Sequence, residues 1–137
     1  MAVRIVTPIQ KRFSDVDSFL HVNNVAQQMY FDVGKTEYFR RLLALGNVEE
    51  GKRIITVSTR TDYRGQIRLE DETEVITEAE RIGRTSIHLR QWLVCRCGDG
   101  REEIRTESRS VMVAFDFVRQ EKFPVPDTWR RAMLGED

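Results

Sequence analysis

"FSDVDSFLHVNN", residues 13–24, sets two carboxylates two positions apart, then a histidine and two asparagines, among apolar side chains. The hydrophobic pattern changes across it. Upstream, "MAVRIVTPIQKRF" alternates as a strand does, so residues 3–13 are expected to form the first strand. Downstream, Val22, Val25, Ala26, Met29 and Val33 recur at helical spacing, with Leu42 and Leu43 beyond them. Asn23 and Asn24 suit the start of that helix, and Gly46-Asn47 suits its end. The result is a helix of roughly twenty residues, long for so short a chain. Gly34 lies inside it, where glycine costs about 1 kcal/mol against alanine. A close approach of the helix backbone to a neighbour is the expected reason.

The rest of the chain reads as strands. They are "RIITVSTRTDY" (53–63), "ETEVITEAERI" (72–82), "SIHLRQWLVCR" (86–96) and "EIRTESRSVMVAFDF" (103–117). The second strand is expected to put Ile55, Val57 and Tyr63 on one side. In the strand of residues 86–96, Ile87, Leu89, Leu93 and Cys95 share one face, and His88, Arg90, Trp92 and Val94 the other. "CGDG" (97–100) is a hairpin turn, Asp-Gly being a strong short-range signal. The tail "PVPDTWRRAML" forms a loop and a short helix from about Asp127. One strand, one long helix and four strands on short turns make an antiparallel α+β arrangement, with the helix across one face of a curved sheet. Trp92, Val94, Val111 and Val113, among charged neighbours, suggest that part of the other face or an edge is covered in an oligomer.

At 137 residues and 40% hydrophobic content the chain is expected to form a single soluble domain over 1–137. A formal net charge of +0 removes the broad basic footprint of a nucleic-acid binder. There is no apolar run of membrane-spanning length and no signal-peptide pattern, which points to the cytoplasm. Cys95 and Cys97, two apart in a strand, suit neither a disulfide nor a zinc site and are expected to be reduced core or interface residues. Only four of the 22 basic residues are lysine. Arginine's planar fork suits phosphate and carboxylate, although codon or lineage bias is the better explanation of the count.

The element order, with "RFSDVDSFLHVNNVAQQMYFDVGKTEYFR" (12–40) at the first strand–helix junction, resembles the hotdog-fold acyl-CoA thioesterases, in the 4-hydroxybenzoyl-CoA thioesterase/YbgC-like group. That group's pattern, Asp-x-Asp-x-x-Gly-His-Val-Asn-Asn, is met by Asp15, Asp17, His21, Val22, Asn23 and Asn24, followed by Tyr30, Phe31 and Asp32. "TDYRGQIRLEDETEVITEAERIGRTSIHL" (61–89) resembles the family's middle strands. The resemblance implies a hotdog fold: a curved antiparallel five-stranded sheet wrapped around one long central helix, with a short C-terminal helix. Two departures stand out. Leu20 occupies a position often held by glycine, and Gln27 one often held by an aromatic residue.

A carboxylate just ahead of a helix can sit beside N–H groups that carry partial positive charge. Asp17 is so placed. The resemblance implies that it either attacks a thioester carbonyl or takes a proton from the attacking water. The resemblance implies that the Asn24 N–H polarises the carbonyl, with His21 in an accessory role. Asp15 is expected to make a structural hydrogen bond, and Tyr30 and Asp32 to serve packing or subunit contacts. Candidates for binding coenzyme A are Arg64, Arg81, Arg84, Thr85 and Ser86. In the family the ligand lies between subunits, so a homodimer or homotetramer is implied and these groups serve a partner's Asp17. No cofactor or metal is implied; coenzyme A enters as part of the substrate. The expected activity is hydrolysis of a small, medium-chain or aromatic acyl-CoA. The alternatives are an acyl carrier protein thioesterase and an acyl-CoA-binding protein without activity.

Overall fold

The computed structural model describes residues 2–43 and 50–136, so the expected Gly46-Asn47 helix stop lies outside the described residues. The elements are β1 (Ile5–Ile9), a 3-10 turn (Phe13–Asp15), α1 (Asn24–Leu43), β2 (Lys52–Tyr63), β3 (Glu72–Ile82), β4 (Ser86–Arg96), β5 (Glu102–Asp116), β6 (Glu121–Lys122) and α2 (Asp127–Leu134). The sheet is antiparallel, in the order β1-β3-β4-β5-β2, with the two-residue β6 added beside the end of β5. The five expected strands, the long helix and the short terminal helix are all present. No helix among the described residues is long and apolar enough to cross a membrane.

The first strand is shorter than alternation suggested. β1 pairs with β3 only as far as Ile9 opposite Thr73. Beyond it the Asp15 carboxylate accepts the Arg12 N–H at 3.0 Å, and the Asp15 N–H reaches the Arg12 carbonyl at 2.9 Å. Those two bonds turn residues 12–15 back on themselves, and an apolar pattern does not reveal them.

The helix stripe also differs. Val22 and Ala26 are buried as expected, but Val25, Met29 and Val33 are 71%, 52% and 49% exposed. The buried face is Ala26, Gln27, Tyr30, Phe31, Gly34, Lys35, Tyr38, Phe39 and Leu43. It lies one residue, about 100° of rotation, from the aliphatic line. The aromatic rings decide which face turns inward, because each removes more apolar area from water than a valine does.

Along α1 the core falls into two clusters. At the N-terminal half, Val22, Ala26, Tyr30 and Phe31 pack with Ile67, Val75, Leu93 and Cys95. At the C-terminal half, Tyr38, Phe39 and Leu43 pack with Ile87, Leu89, Met112 and, from α2, Trp129 and Met133. Near the junction the buried Gln91 amide donates to the Phe31 carbonyl at 2.9 Å and to the Thr77 hydroxyl at 3.0 Å. Here Gly34 meets the sheet. A Cβ at Gly34 would stand 2.6 Å from Val75 Cγ1 and 3.0 Å from Gln91 Nε2. The expected close approach is therefore present.

β2 is the outer strand next to β5, and most of its side chains are exposed. Its register shifts between Thr56 and Ser58, so Val57 is a bulge residue. The bulge breaks the expected Ile55–Val57–Tyr63 alignment, and Val57 and Tyr63 are both exposed. The face of the sheet away from α1 is better covered than the sequence suggested. Trp92 lies between the guanidinium groups of Arg4 and Arg90, at 5.1 and 4.8 Å from its ring, and its Nε1–H donates to Glu107 at 3.1 Å. Trp92, Val94 and Val113 are thus buried within the chain itself, and Val111 is half-buried. Cys95 and Cys97 are free thiols. Cys95 is buried beside the Thr73 hydroxyl, and Cys97 is half-buried.

Replacing Gly34 with alanine is expected to destabilise the protein by about 1–3 kcal/mol, despite alanine's better helix propensity, because the added methyl overlaps Val75. A urea denaturation midpoint equal to or above wild type would contradict that close approach.

Candidate active site

The site is built on the segment between the 3-10 turn and α1. Asn23 caps the helix: its Oδ1 accepts the Ala26 N–H at 2.7 Å, and its carbonyl accepts the Gln27 N–H at 3.1 Å. Among the described residues, no protein acceptor takes the N–H of Asn24 or of Val25. These two donors stand at the positive end of the longest helix.

Asp15 anchors the segment. It is buried, accepts the Tyr30 hydroxyl at 2.6 Å and the Arg12 N–H at 3.0 Å, and its carbonyl accepts the Asn23 N–H at 2.9 Å. Burial alone would raise its pKa. The hydrogen bonds from Tyr30 and Arg12, with the Arg12 charge, outweigh that and hold the carboxyl below the ordinary value. Burial first, and then the Asp15 contact, pushes the Tyr30 hydroxyl well above its usual range. Asp15 thus makes the structural bonds expected of it. Tyr30 is a core residue, and Asp32 is exposed, 3.8 Å from the Lys35 ammonium.

Asp17 follows in a tight turn. Its N–H donates to the His21 carbonyl at 3.0 Å, its carbonyl accepts the Leu20 N–H at 2.9 Å, and its Oδ1 accepts the Phe19 N–H at 2.9 Å. The turn fixes the carboxylate through Oδ1 and, among the described residues, leaves Oδ2 without a hydrogen-bond partner. Leu20, where the resemblance expects glycine, has φ 64°. A left-handed leucine costs roughly 1–2 kcal/mol, so the turn keeps its shape against local strain. His21 bridges to Arg68, and the Val22 N–H donates to the Ile67 carbonyl at 2.7 Å, which ties the loop before β3 against the helix start.

These residues share one cleft of about 500 Å³, lined by Asp17, His21, Asn24, Gln27, Tyr63 and Arg64 among others. A second trough, of about 610 Å³, shares Arg64, Gly65 and Gln66 with it and is also lined by Arg68, Arg105, Glu70 and Asp71. Sequence reasoning singled out Arg64 but missed Arg68 and Arg105. Both lie in strand or turn segments, and only the fold brings them to one trough with Arg64.

The other candidates lie elsewhere. Arg81, Arg84, Thr85 and Ser86 belong to the β3–β4 hairpin, which packs on the chain's C-terminal part. The Arg84 carbonyl accepts the Val125 N–H at 2.8 Å, and Arg130 donates to the Ile82 and Gly83 carbonyls. Leu93, beside the cleft's Thr106–Tyr63 end, is seven residues along β4 from Ser86, or roughly 23 Å. Within one chain this hairpin does not meet Asp17. The hairpin's Arg81 and Ser86 instead lie 3.2 and 3.3 Å from His88 Nε2.

A family profile, the thioesterase-like superfamily, matches residues 12–133. The chain belongs to the thioesterase-like superfamily. Over 83 residues it is 31% identical to the uncharacterized protein YsmA of Bacillus subtilis, a match covering 59% of this chain and 54% of YsmA. The chain thus spans about half the length of the curated relative it matches. Its structure is similar to a predicted thioesterase from Bacillus stearothermophilus, with TM-score 0.83 and 27% identity over 96% of this chain and 94% of the other. A 4-hydroxybenzoyl-CoA thioesterase, an aspartate-to-asparagine variant complexed with 4-hydroxybenzoyl-CoA, superposes with TM-score 0.85. At 17% identity, over 95% of this chain and 98% of that one, it speaks for the fold alone. This member of the superfamily therefore has the hotdog fold.

The Asp15–Tyr30 bond yields a pH prediction. A carboxyl whose folded pKa is lowered contributes stability that is complete above its unfolded value, near 3.8, and is lost as pH falls through the folded value. Tyr30→Phe removes one of the lowering bonds. It is expected to cost about 1–3 kcal/mol at neutral pH and to move acid unfolding to higher pH. An unchanged acid midpoint by circular dichroism would show that the bond does not hold Asp15.

Proposed function

We propose that this protein is an acyl-CoA thioesterase that hydrolyses the thioester of a small, medium-chain or aromatic acyl group. The observation that carries the proposal is that the Asp17 carboxylate lines the same cleft as the unclaimed N–H groups of the first turn of α1. A thioester placed there has a negatively charged oxygen on one side of its carbonyl carbon and a polarised donor for the carbonyl oxygen on the other.

In the proposed reaction the Asn24 N–H, at the helix's positive end, takes the developing oxyanion. One preorganised donor of this kind is worth roughly 3–4 kcal/mol in the transition state. Asp17 Oδ2, left free by the turn, either adds to the carbonyl carbon or takes a proton from the water that adds. In the first route coenzyme A thiolate leaves a mixed anhydride that water then opens. In the second, the tetrahedral intermediate expels the thiolate directly. Both give the free acid and coenzyme A. His21, half-buried on the cleft wall, orients the water or the carbonyl.

The trough, with three arginines against Glu70 and Asp71, supports a coenzyme A ester. Arg64, Arg68 and Arg105 approach one side of the cleft, and guanidinium groups pair with phosphate through parallel hydrogen bonds. The hairpin residues Arg81, Arg84, Thr85 and Ser86 fit the proposal as contributions to a second subunit's site. Two exposed features support such an assembly. β2 presents a long outer strand, and Val25, Met29 and Val33 form an apolar line on the outside of α1 beside the cleft. A strand of this length with one open edge is a liability that pairing with a second copy removes. A homodimer or homotetramer in the cytoplasm is the proposed form.

Asp17→Asn and Asp17→Ala are expected to lower kcat on acyl-CoA esters at least a hundredfold, with ester affinity largely retained. Free-thiol detection over a panel of acyl- and aroyl-CoA esters measures this, and near-normal turnover by either variant sinks the assignment. Arg64→Ala is expected to raise KM for coenzyme A esters roughly tenfold and to weaken its dependence on salt, with kcat little changed. A KM equal to wild type at low ionic strength would place the phosphates elsewhere.

A further inference from the structure

The cleft contains a buried polar side chain that the proposed mechanism does not use. Gln27, in the position where related sequences often carry an aromatic ring, is 3% exposed and lines the cleft with Asp17, His21 and Tyr63. Its amide is held from one side. The Thr106 hydroxyl, itself fully buried in β5, donates to Gln27 Oε1 at 2.6 Å. With Oε1 accepting from Thr106, Nε2 keeps two N–H donors. Among the described residues, the Nε2 contact to a protein acceptor is with the Val22 carbonyl at 3.5 Å, at the outer limit of a hydrogen bond. A buried amide with unspent donor capacity is costly in an apolar pocket and useful in one that receives an acceptor.

We infer that Gln27 is a specificity residue whose Nε2–H recognises a hydrogen-bond acceptor on the acyl group, so that the preferred substrates are oxygenated acyl thioesters and not plain alkyl ones. The inference rests on the hydrolase reading above and names its substrate class. An aromatic ring at this position would offer the acyl group an apolar wall. Gln27 offers a donor, held by Thr106 from behind. A plain alkyl chain packed against Nε2 would strand that donor, and a site built around a hydrogen bond rejects the analogue that lacks the partner more strongly than an apolar pocket rejects a change of size.

The test compares acetoacetyl-CoA with butyryl-CoA. The two acyl chains have equal carbon number and differ by one carbonyl oxygen. The wild-type protein is expected to favour acetoacetyl-CoA in kcat/KM by at least tenfold. Gln27→Glu keeps an oxygen for Thr106 but replaces the donor, and it should bring the ratio to one or below. Because a single Gln27→Leu change leaves the Thr106 hydroxyl unpaired, the apolar variant is the double Gln27→Leu/Thr106→Val, which should also abolish the preference. A wild-type ratio near one, or a preference that persists in both variants, overturns the inference. Calorimetric titration of wild-type protein with both esters separates this inference from the hydrolase reading. If neither ester is hydrolysed but acetoacetyl-CoA binds at least tenfold more tightly, the recognition stands and the hydrolase reading falls. Equal binding, or none, overturns the recognition as well.

Discussion

The candidate site depends on one buried carboxylate that is not expected to react. Asp15 holds three parts of the chain at once: its side chain takes the Tyr30 hydroxyl and the Arg12 N–H, and its backbone carbonyl takes the Asn23 N–H. Tyr30 is in the second turn of α1, and Asn23 caps that helix. The 3-10 turn is therefore fastened to the helix from its side and from its end, and Asp17, two residues on, has little freedom to move away. A carboxylate buried this deeply is stable only because it is paired: two donors meet at Oδ2, one from the turn and one from the helix, and the Arg12 guanidinium lies 3.5 Å from Oδ1. The spacing of two acids two apart thus divides the work, with one fixing the loop and the next facing the cleft.

The remaining constraints place the cleft's other walls. The Val22–Ile67 bond and the His21–Arg68 bridge bring the loop before β3 against the helix start, and that loop carries Arg64 and Arg68 to the cleft margin. β5 supplies Thr106 and, through a register shift beside Leu93 and Val94, frees Arg105 from regular pairing. The close approach at Gly34 sets how near the whole helix lies to β3. The site is the product of the helix, two loops and one sheet bulge, and none of them contains it alone.

Much of this was legible in the chain. The polar cluster at 13–24, the caps, the central glycine and the strand order are local signals whose physics does not depend on distant partners. What was not legible depended on distant partners or on competition between faces. Val25, Met29 and Val33 have the right spacing for a core stripe, but the aromatic residues one position on bury more area and rotate the helix accordingly. The length of β1 turned on a side-chain-to-backbone bond at Asp15. Trp92 looked like an oligomer contact because nothing in its own strand revealed that Arg4, from the N-terminal segment, would stack over it. Gln27 was visible as a departure, yet its orientation needed Thr106, 79 residues away. The hairpin arginines illustrate the limit. Their chemistry suited the ligand, but their place in one chain is the far end of the sheet.

The division of the core has a consequence for how the molecule breathes. Among the described residues the cluster around Tyr38, Phe39 and α2 contains thirteen buried side chains, whereas the one behind the cleft contains eight. Each end has its own apolar glue, with the Gln91 amide near the junction. Opening the smaller end exposes less apolar surface, so its backbone should exchange amide hydrogens through partial excursions that leave the larger end intact. An end that loosens without global unfolding lets the cleft widen, while the rest of the scaffold keeps its shape.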